Sequence, residues 1–310
     1  IIDIVNPEDE NKQPDTLSLA YYQNQPMNPF QCNDFTNRAL LTLIYQGLFF
    51  VDRNYTAEPI LCRSFTVTGD QKTYTFYLER ATFSDGTTIT ADDVIASLAA
   101  AQNSNFYKGR FLHIASYEKT EDGGIVIKCS TPVENLPLLL DIPIVKESQV
   151  QLDAPIGSGS YYLENNGQTA ILRRTPNWWC KADMAVISPA IALTPATSIA
   201  GIRDAFEFYD VSVVCTDPGS DRYVEYRCDY ELWDIENGLF LYLGCNMESP
   251  VFSLPGVRSA LTYAIDRDTL VKKYFQGFAH SATLPASPSS PYYSTTLAEK
   301  YGYQAEKFAQ

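Results

Sequence analysis

Between Pro59 and Ser97 the apolar positions change period, and the change predicts two strands followed by a helix. Phe65 and Val67 alternate with Ser64, Thr66 and Thr68, the two-residue period of a half-buried strand. Gly69-Asp70 supplies turn chemistry, after which Tyr74, Phe76 and Leu78 alternate with Thr73, Thr75 and Tyr77. A second turn falls at Asp85-Gly86. Thr90 stands where a helix N-cap belongs, Thr90 and Asp93 have capping-box spacing, and Asp92 and Asp93 put negative charge on the first turn. Val94, Ile95 and Leu98 share one apolar face, and the helix is expected to end near Asn103.

The same reading runs along the rest of the chain. A strand is predicted over 16–22, broken by Pro26-Met27-Asn28-Pro29, and a helix over 36–50 with Leu40, Leu43, Ile44 and Gly47-Leu48 toward the core. Residues 116–119 and 125–128 read as a hairpin across Asp122-Gly123-Gly124, and 136–144 as an apolar segment holding Asp141. A helix over 199–208 precedes a short strand over 211–215, within α/β material running from 182 to 233. A strand over 239–246 leads into a helical stretch from Pro255 to Gly277, where Val257, Ala260, Leu261, Ala264 and Ile265 recur at helical spacing. A short helix over 297–308 closes the chain, and the polar, acidic segment 6–15 reads as part of a mobile leader.

The order of residues in three stretches resembles the extracellular solute-binding proteins of the peptide/nickel class, family 5, which serve ABC importers. In the first, Pro59, Leu61, Ser64, Val67, Lys72-Thr73-Tyr74-Thr75-Phe76, Leu78, Phe83, Asp85-Gly86 and Thr90-Ala91-Asp92-Asp93-Val94 fall in step with the family. The departures are Cys62 for Ala, Phe65 for Trp, Glu79-Arg80 around the usual Arg, and Asp70-Gln71 for Asp-Gly. In the second, Val257-Arg258, Ala260-Leu261, Tyr263-Ala264-Ile265-Asp266-Arg267 and Leu270-Val271 match the family's helix. In the third, Pro155-Ile156-Gly157-Ser158-Gly159-Ser160-Tyr161 matches with Ser for Thr and Ser for Pro, as a tight turn between domains.

The resemblance implies an α/β, periplasmic-binding-protein-like fold of the type II peptide-binding class, with a first lobe, an extra β-rich subdomain and an incomplete second lobe. It divides the chain into a leader over 1–15, a first domain of 16–46 plus 160–250, an inserted domain over 47–159, and the start of a second lobe over 251–310. It also implies a ligand site. The loop after Asn28-Pro29 places Phe30, Cys32, Asn37 and Arg38 near the ligand, and Tyr107, with Phe106 as the fallback, supplies an aromatic over it. Gly244, Cys245 and Asn246 would pair their backbone with an extended ligand by strand addition. Some relatives carry a ligand-facing Arg in a segment like 136–144, where this chain has Asp141 and no Arg.

Composition narrows the partner rather than the fold. The net charge of −14 has no basic run to interrupt it, which argues against nucleic acid and against docking on anionic lipid. Only His113 and His280 are available as imidazoles, and the seven cysteines form no C-x-x-C pair, so neither a metal site nor a resident cofactor is expected. A bridge between Cys215 and Cys228 is left open. No G-x-S-x-G or H-E-x-x-H is present, so an extracellular hydrolase ranks below a binding protein. The expected function is a monomeric, extracytoplasmic binding component, periplasmic or tethered as a surface lipoprotein. It would hold a peptide-like solute between two lobes and deliver it to a membrane permease. A metal chelate, an oligosaccharide or another small solute on the same fold is the alternative.

Overall fold

The computed structural model describes residues 17–167, 169–180, 188–216, 225–234, 240–288 and 290–309. The expected leader lies outside them, as do parts of the stretch from 182 to 233. The chain forms two compact units, 1–215 and 216–310.

In the first unit, β1 (Leu17–Tyr22) pairs in parallel with β10 (Ala190–Ala196). Strand β10 pairs antiparallel with β9 (Ala170–Arg174), and β9 with β8 (Tyr161–Asn165), so the sheet order is β1-β10-β9-β8. A ribbon of β2 (Phe49–Val51) and β3 (Ala57–Pro59) leads into a second, antiparallel sheet. Its order is β4-β5-β7-β6, built from β4 (Cys62–Val67), β5 (Thr73–Leu78), β6 (Ile114–Lys119) and β7 (Ile125–Cys129).

The two central strands of that sheet follow their two-residue period: Tyr74 and Phe76 on β5 and Ile125 and Ile127 on β7 are buried. The edge strand β4 does not. Phe65 and Val67, expected to be half-buried on one face, are 44% and 46% exposed. A register shift between Cys62 and Ser64 interrupts the ladder there, and an edge strand has a neighbour on one side only.

Helix α2 (Ala91–Asn103) has the predicted bounds, and Ala91, Val94, Leu98 and Ala101 bury one stripe. Its start is held by one carboxylate. Asp93 accepts from the Thr90 N–H and hydroxyl, both at 2.8 Å, and its other oxygen accepts the Glu147 N–H at 2.8 Å. Helix α1 (Phe35–Ile44) is shorter than the predicted 36–50. The chain leaves it at Tyr45 because the next residues pair with 140–144 instead: Ile144 N–H donates to Gln46, Phe49 N–H to Leu140, and Gly47 bridges Pro143. Helical periodicity cannot register that distant partner.

Helix α3 (Ile199–Glu207), capped by Ser198, matches its prediction to one residue. The strand expected over 211–215 is reduced to one parallel bridge, Val213 with Leu19, on the free side of β1.

In the second unit the stretch from 255 to 277 breaks into α4 (Pro255–Ala264) and α5 (Arg267–Tyr274). Ile265 closes the first helix and Asp266 caps the next, its carboxylate accepting the Thr269 N–H at 3.0 Å. Gly277, at φ +90°, closes the stretch as expected. The terminal helix is likewise two, α6 (Thr295–Tyr301) and α7 (Ala305–Ala309). The strand predicted over 239–246 does not form across 240–246, and Leu241, Tyr242 and Leu243 are exposed. A strand needs a neighbouring ladder, and the described residues of this unit contain none.

Candidate functional site

The loop before α1 is built from the inside. Asn28 is fully buried; its amide nitrogen donates to the carbonyls of Val150 and Leu152, at 3.0 and 2.7 Å, while its oxygen accepts the Phe30 N–H. Asn37, also buried, ties α1 to β1 by exchanging hydrogen bonds with the Tyr22 backbone, at 2.7 and 2.9 Å. Tyr45 closes the same region with a buried hydroxyl set between the carbonyls of Met27 and Pro155. These residues fix where the next turn of α1 points.

That turn carries Arg38. Its Nη1 donates to the carbonyls of Pro29 and Cys32, both at 3.1 Å, and its Nη2 to the Tyr107 hydroxyl at 2.9 Å. The Phe106 ring covers the guanidinium at 3.4 Å from its centroid. The aromatic pair comes from the loop after α2, which Ser104 shapes: its hydroxyl accepts the Phe106 N–H and its carbonyl the Lys108 N–H. A 3-10 turn, Lys108–Phe111, follows and aims Arg110.

Arg110 lies 4.9 Å from the centroid of Tyr107 and forms an ion pair with Asp141. Asp141 reaches this position because the segment around it passes close against Gly47. A Cβ on Gly47 would lie 3.0 Å from the Asp141 carbonyl carbon and the Ile142 oxygen. Burial raises the Asp141 carboxyl above its ordinary range, and the Arg110 charge offsets only part of that. Burial likewise pushes the Tyr107 hydroxyl up, against the pull of Arg38 and Arg110.

The predicted ligand residues thus fall into three groups. Arg38 is half-buried and Phe106 is 54% exposed, and the two touch at the surface of the first unit. Phe30, Cys32, Asn37 and Tyr107, expected near the ligand, are buried in the first unit. Tyr107 in particular is 5% exposed, with Phe30 and Phe106 edge-on to its ring, so the fallback Phe106 is the accessible aromatic. Cys32 donates its thiol to the Asp34 carbonyl, and burial raises its pKa.

Gly244, Cys245 and Asn246 lie in the second unit, without the strand that strand addition requires. The Asn246 side chain is engaged locally, accepting the Glu248 N–H at 3.0 Å. Cys215 is an exposed free thiol, so the bridge to Cys228 is not formed. Sequence reasoning missed Arg110; the signal was an aspartate in an apolar segment, a charge that needs a partner once half-buried.

The turn at 155–161 packs against the end of α1. A Cβ on Gly157 would lie 2.2 Å from the Ile44 oxygen, and one on Gly159 2.3 Å from the Leu43 oxygen. The Gly159 N–H donates to Ile44 at 2.8 Å, satisfying a terminal carbonyl of α1. The glycines are there for close approach to the helix end.

No helix of the described residues is long and apolar enough to cross a membrane. Among them, no group of three or more His, Cys, Asp or Glu could hold a metal.

The model of the bacterial extracellular solute-binding proteins, family 5, matches residues 56–309. The glutathione-binding protein GsiB of Escherichia coli K12 is 28% identical over 293 residues, covering 86% of this chain and 55% of the relative. GsiB of Salmonella choleraesuis is 27% identical over 289 residues, with the same shares covered. The chain therefore spans about half the length of these curated relatives. Among solved structures, NikZ of Campylobacter jejuni in complex with Ni(L-His) superposes with a TM-score of 0.63 at 20% identity, over 95% of this chain and 62% of that one. The oligopeptide-binding protein AppA of Bacillus subtilis, bound to a nonapeptide, gives 0.65 at 19%, over 94% and 62%. CtaP of Listeria monocytogenes gives 0.69 at 19%, over 94% and 63%. These likenesses show the peptide/nickel binding-protein fold that the sequence motifs imply. The chain belongs to the bacterial extracellular solute-binding proteins, family 5.

Proposed function

We propose that this chain is part of the extracytoplasmic binding component of an ABC importer, and that its solute is peptide-like. It takes that solute between two lobes, works as a monomer and hands it to a membrane permease, with binding energy favouring the closed form. It performs no chemistry on the solute. The observation that carries this reading is the surface stack of Arg38 and Phe106, a cation beside an accessible ring, on a chain whose family match runs through residues 56–309. A ring excludes water over an apolar side chain while the guanidinium takes a polar group. Relatives named for glutathione and for a bound nonapeptide favour a peptide-like solute.

The second reading, a metal chelate on the same fold, draws on the neighbour holding Ni(L-His). A chelate brings its own ligand atoms, so it needs only cationic and aromatic contacts from the protein. Native mass spectrometry of the chain against glutathione, pooled short peptides and nickel–histidine separates the two. Retention of peptides, lost in Phe106→Ala, is expected. Retention of nickel–histidine alone would favour the chelate, and cleavage of any peptide would overturn the binding reading.

A further inference from the structure

Arg38 is a cation with unused hydrogen-bonding capacity. A guanidinium has five N–H donors. The carbonyls of Pro29 and Cys32 take both on Nη1, and the Tyr107 hydroxyl takes one on Nη2. The Nε hydrogen and one Nη2 hydrogen remain, on two nitrogens of one rigid plane. Arg38 belongs to none of the ion pairs among the described residues. The acid one turn away, Asp34, accepts the Asn37 N–H at 3.0 Å with one oxygen, at the cap of α1, and forms no ion pair with Arg38.

Arg110 lies against the same tyrosine, yet its charge is already matched. Asp141 pairs with it, held there by the close passage of its backbone past Gly47. Two guanidinium groups thus meet one aromatic ring, one neutralised within the protein and the other not. Phe106 covers one face of the unmatched group, which strengthens its field by excluding water.

We infer that Arg38 is a carboxylate subsite and that Asp141, by neutralising Arg110, limits this corner of the site to a single carboxylate. The ligand class is a solute with one carboxylate placed beside an apolar or planar group that lies along Phe106. The inference rests on the binding reading above and deepens it, but its test does not depend on the whole solute. Planar bidentate pairing is the arrangement a guanidinium offers a carboxylate, and removing Asp141 frees a second cation for a second carboxylate.

The test is NMR of the arginine Nε–H signals in the 310-residue chain during titration with acetate and with glutarate. Expected for the natural chain is a saturable shift at Arg38 at least about tenfold tighter than at the exposed Arg53, with acetate and glutarate alike within about threefold. In Asp141→Asn, glutarate is expected to bind about tenfold tighter while acetate changes little, one added charged contact being worth about that factor. An Arg38 signal no more responsive than Arg53 would overturn the subsite. A glutarate-to-acetate ratio unchanged in Asp141→Asn would overturn the role of Asp141. Asp141→Ser serves as the second variant if the amide distorts the segment. Should peptides bind while acetate ignores Arg38, the inference falls and the binding reading stands; the reverse pattern removes the reading alone.

Discussion

The Arg38 guanidinium lies 3.4 Å from the centroid of the Phe106 ring, joining the first helix to the loop that follows the second. The ring is more than half exposed, so little packing is lost if it is removed. Phe106→Ala should change stability by no more than about 1 kcal/mol, the range of an exposed cation–π contact. Its effect should appear in solute binding. A thermal melt beside a titration with the retained peptide checks both; a large fall in melting temperature would make Phe106 a packing residue.

Tyr107 is expected to behave in the opposite way. Its ring is buried and its hydroxyl accepts from Arg38 at 2.9 Å. Tyr107→Phe should cost about 1–2 kcal/mol through the lost charge-assisted bond, and Tyr107→Ala about 3–5 kcal/mol through the cavity. Denaturant unfolding of the two variants measures the difference.

Gly157→Ala should be destabilising by about 2 kcal/mol or more, because the added methyl group meets the Ile44 carbonyl oxygen. Gly109→Ala is the control. Its Cβ meets nothing within 4 Å, and the expected change is within about 0.5 kcal/mol. Equal midpoints for the two in urea would show that α1 yields to the methyl group.

Stability should fall in acid partly through Asp85. Burial alone would raise its carboxyl, but the Lys146 ammonium at 2.7 Å and the Thr87 hydroxyl and N–H outweigh it, and the net shift is down. A carboxyl lowered on folding stabilises above its unfolded pKa, and that contribution is lost as the pH falls through the folded value. Asp85→Asn should therefore be less stable near neutrality and show a shallower loss below about pH 4. Unfolding midpoints across pH 2 to 7 would reveal it, and parallel curves would exclude Asp85 as a contributor.

Much of the first unit was legible in the chain. Helix α2 could be placed from Ala91 to near Asn103 because its cap, its acidic first turn and its apolar stripe are all local in the chain. The alternation of β5 was equally plain, that strand being central and covered, and the turn residues Asp122-Gly123-Gly124 marked the hairpin that carries β7. The motifs around Pro59 and Pro255 pointed to the family because they preserve spacing, which is a property of sequence alone.

Only the tertiary structure decided where α1 stops, which aromatic of the Phe106-Tyr107 pair is open, and which charge Asp141 meets. Each depends on a segment far away in the chain: residues 140–144 beside Gln46, Arg38 beside Tyr107, Arg110 beside Asp141. Periodicity reports which side of an element is apolar, but not which neighbour arrives to cover it. The strand that does not form across 240–246 makes the same point from the other direction. Its residues have the pattern, and the ladder that would turn pattern into structure is missing from the described part of its unit.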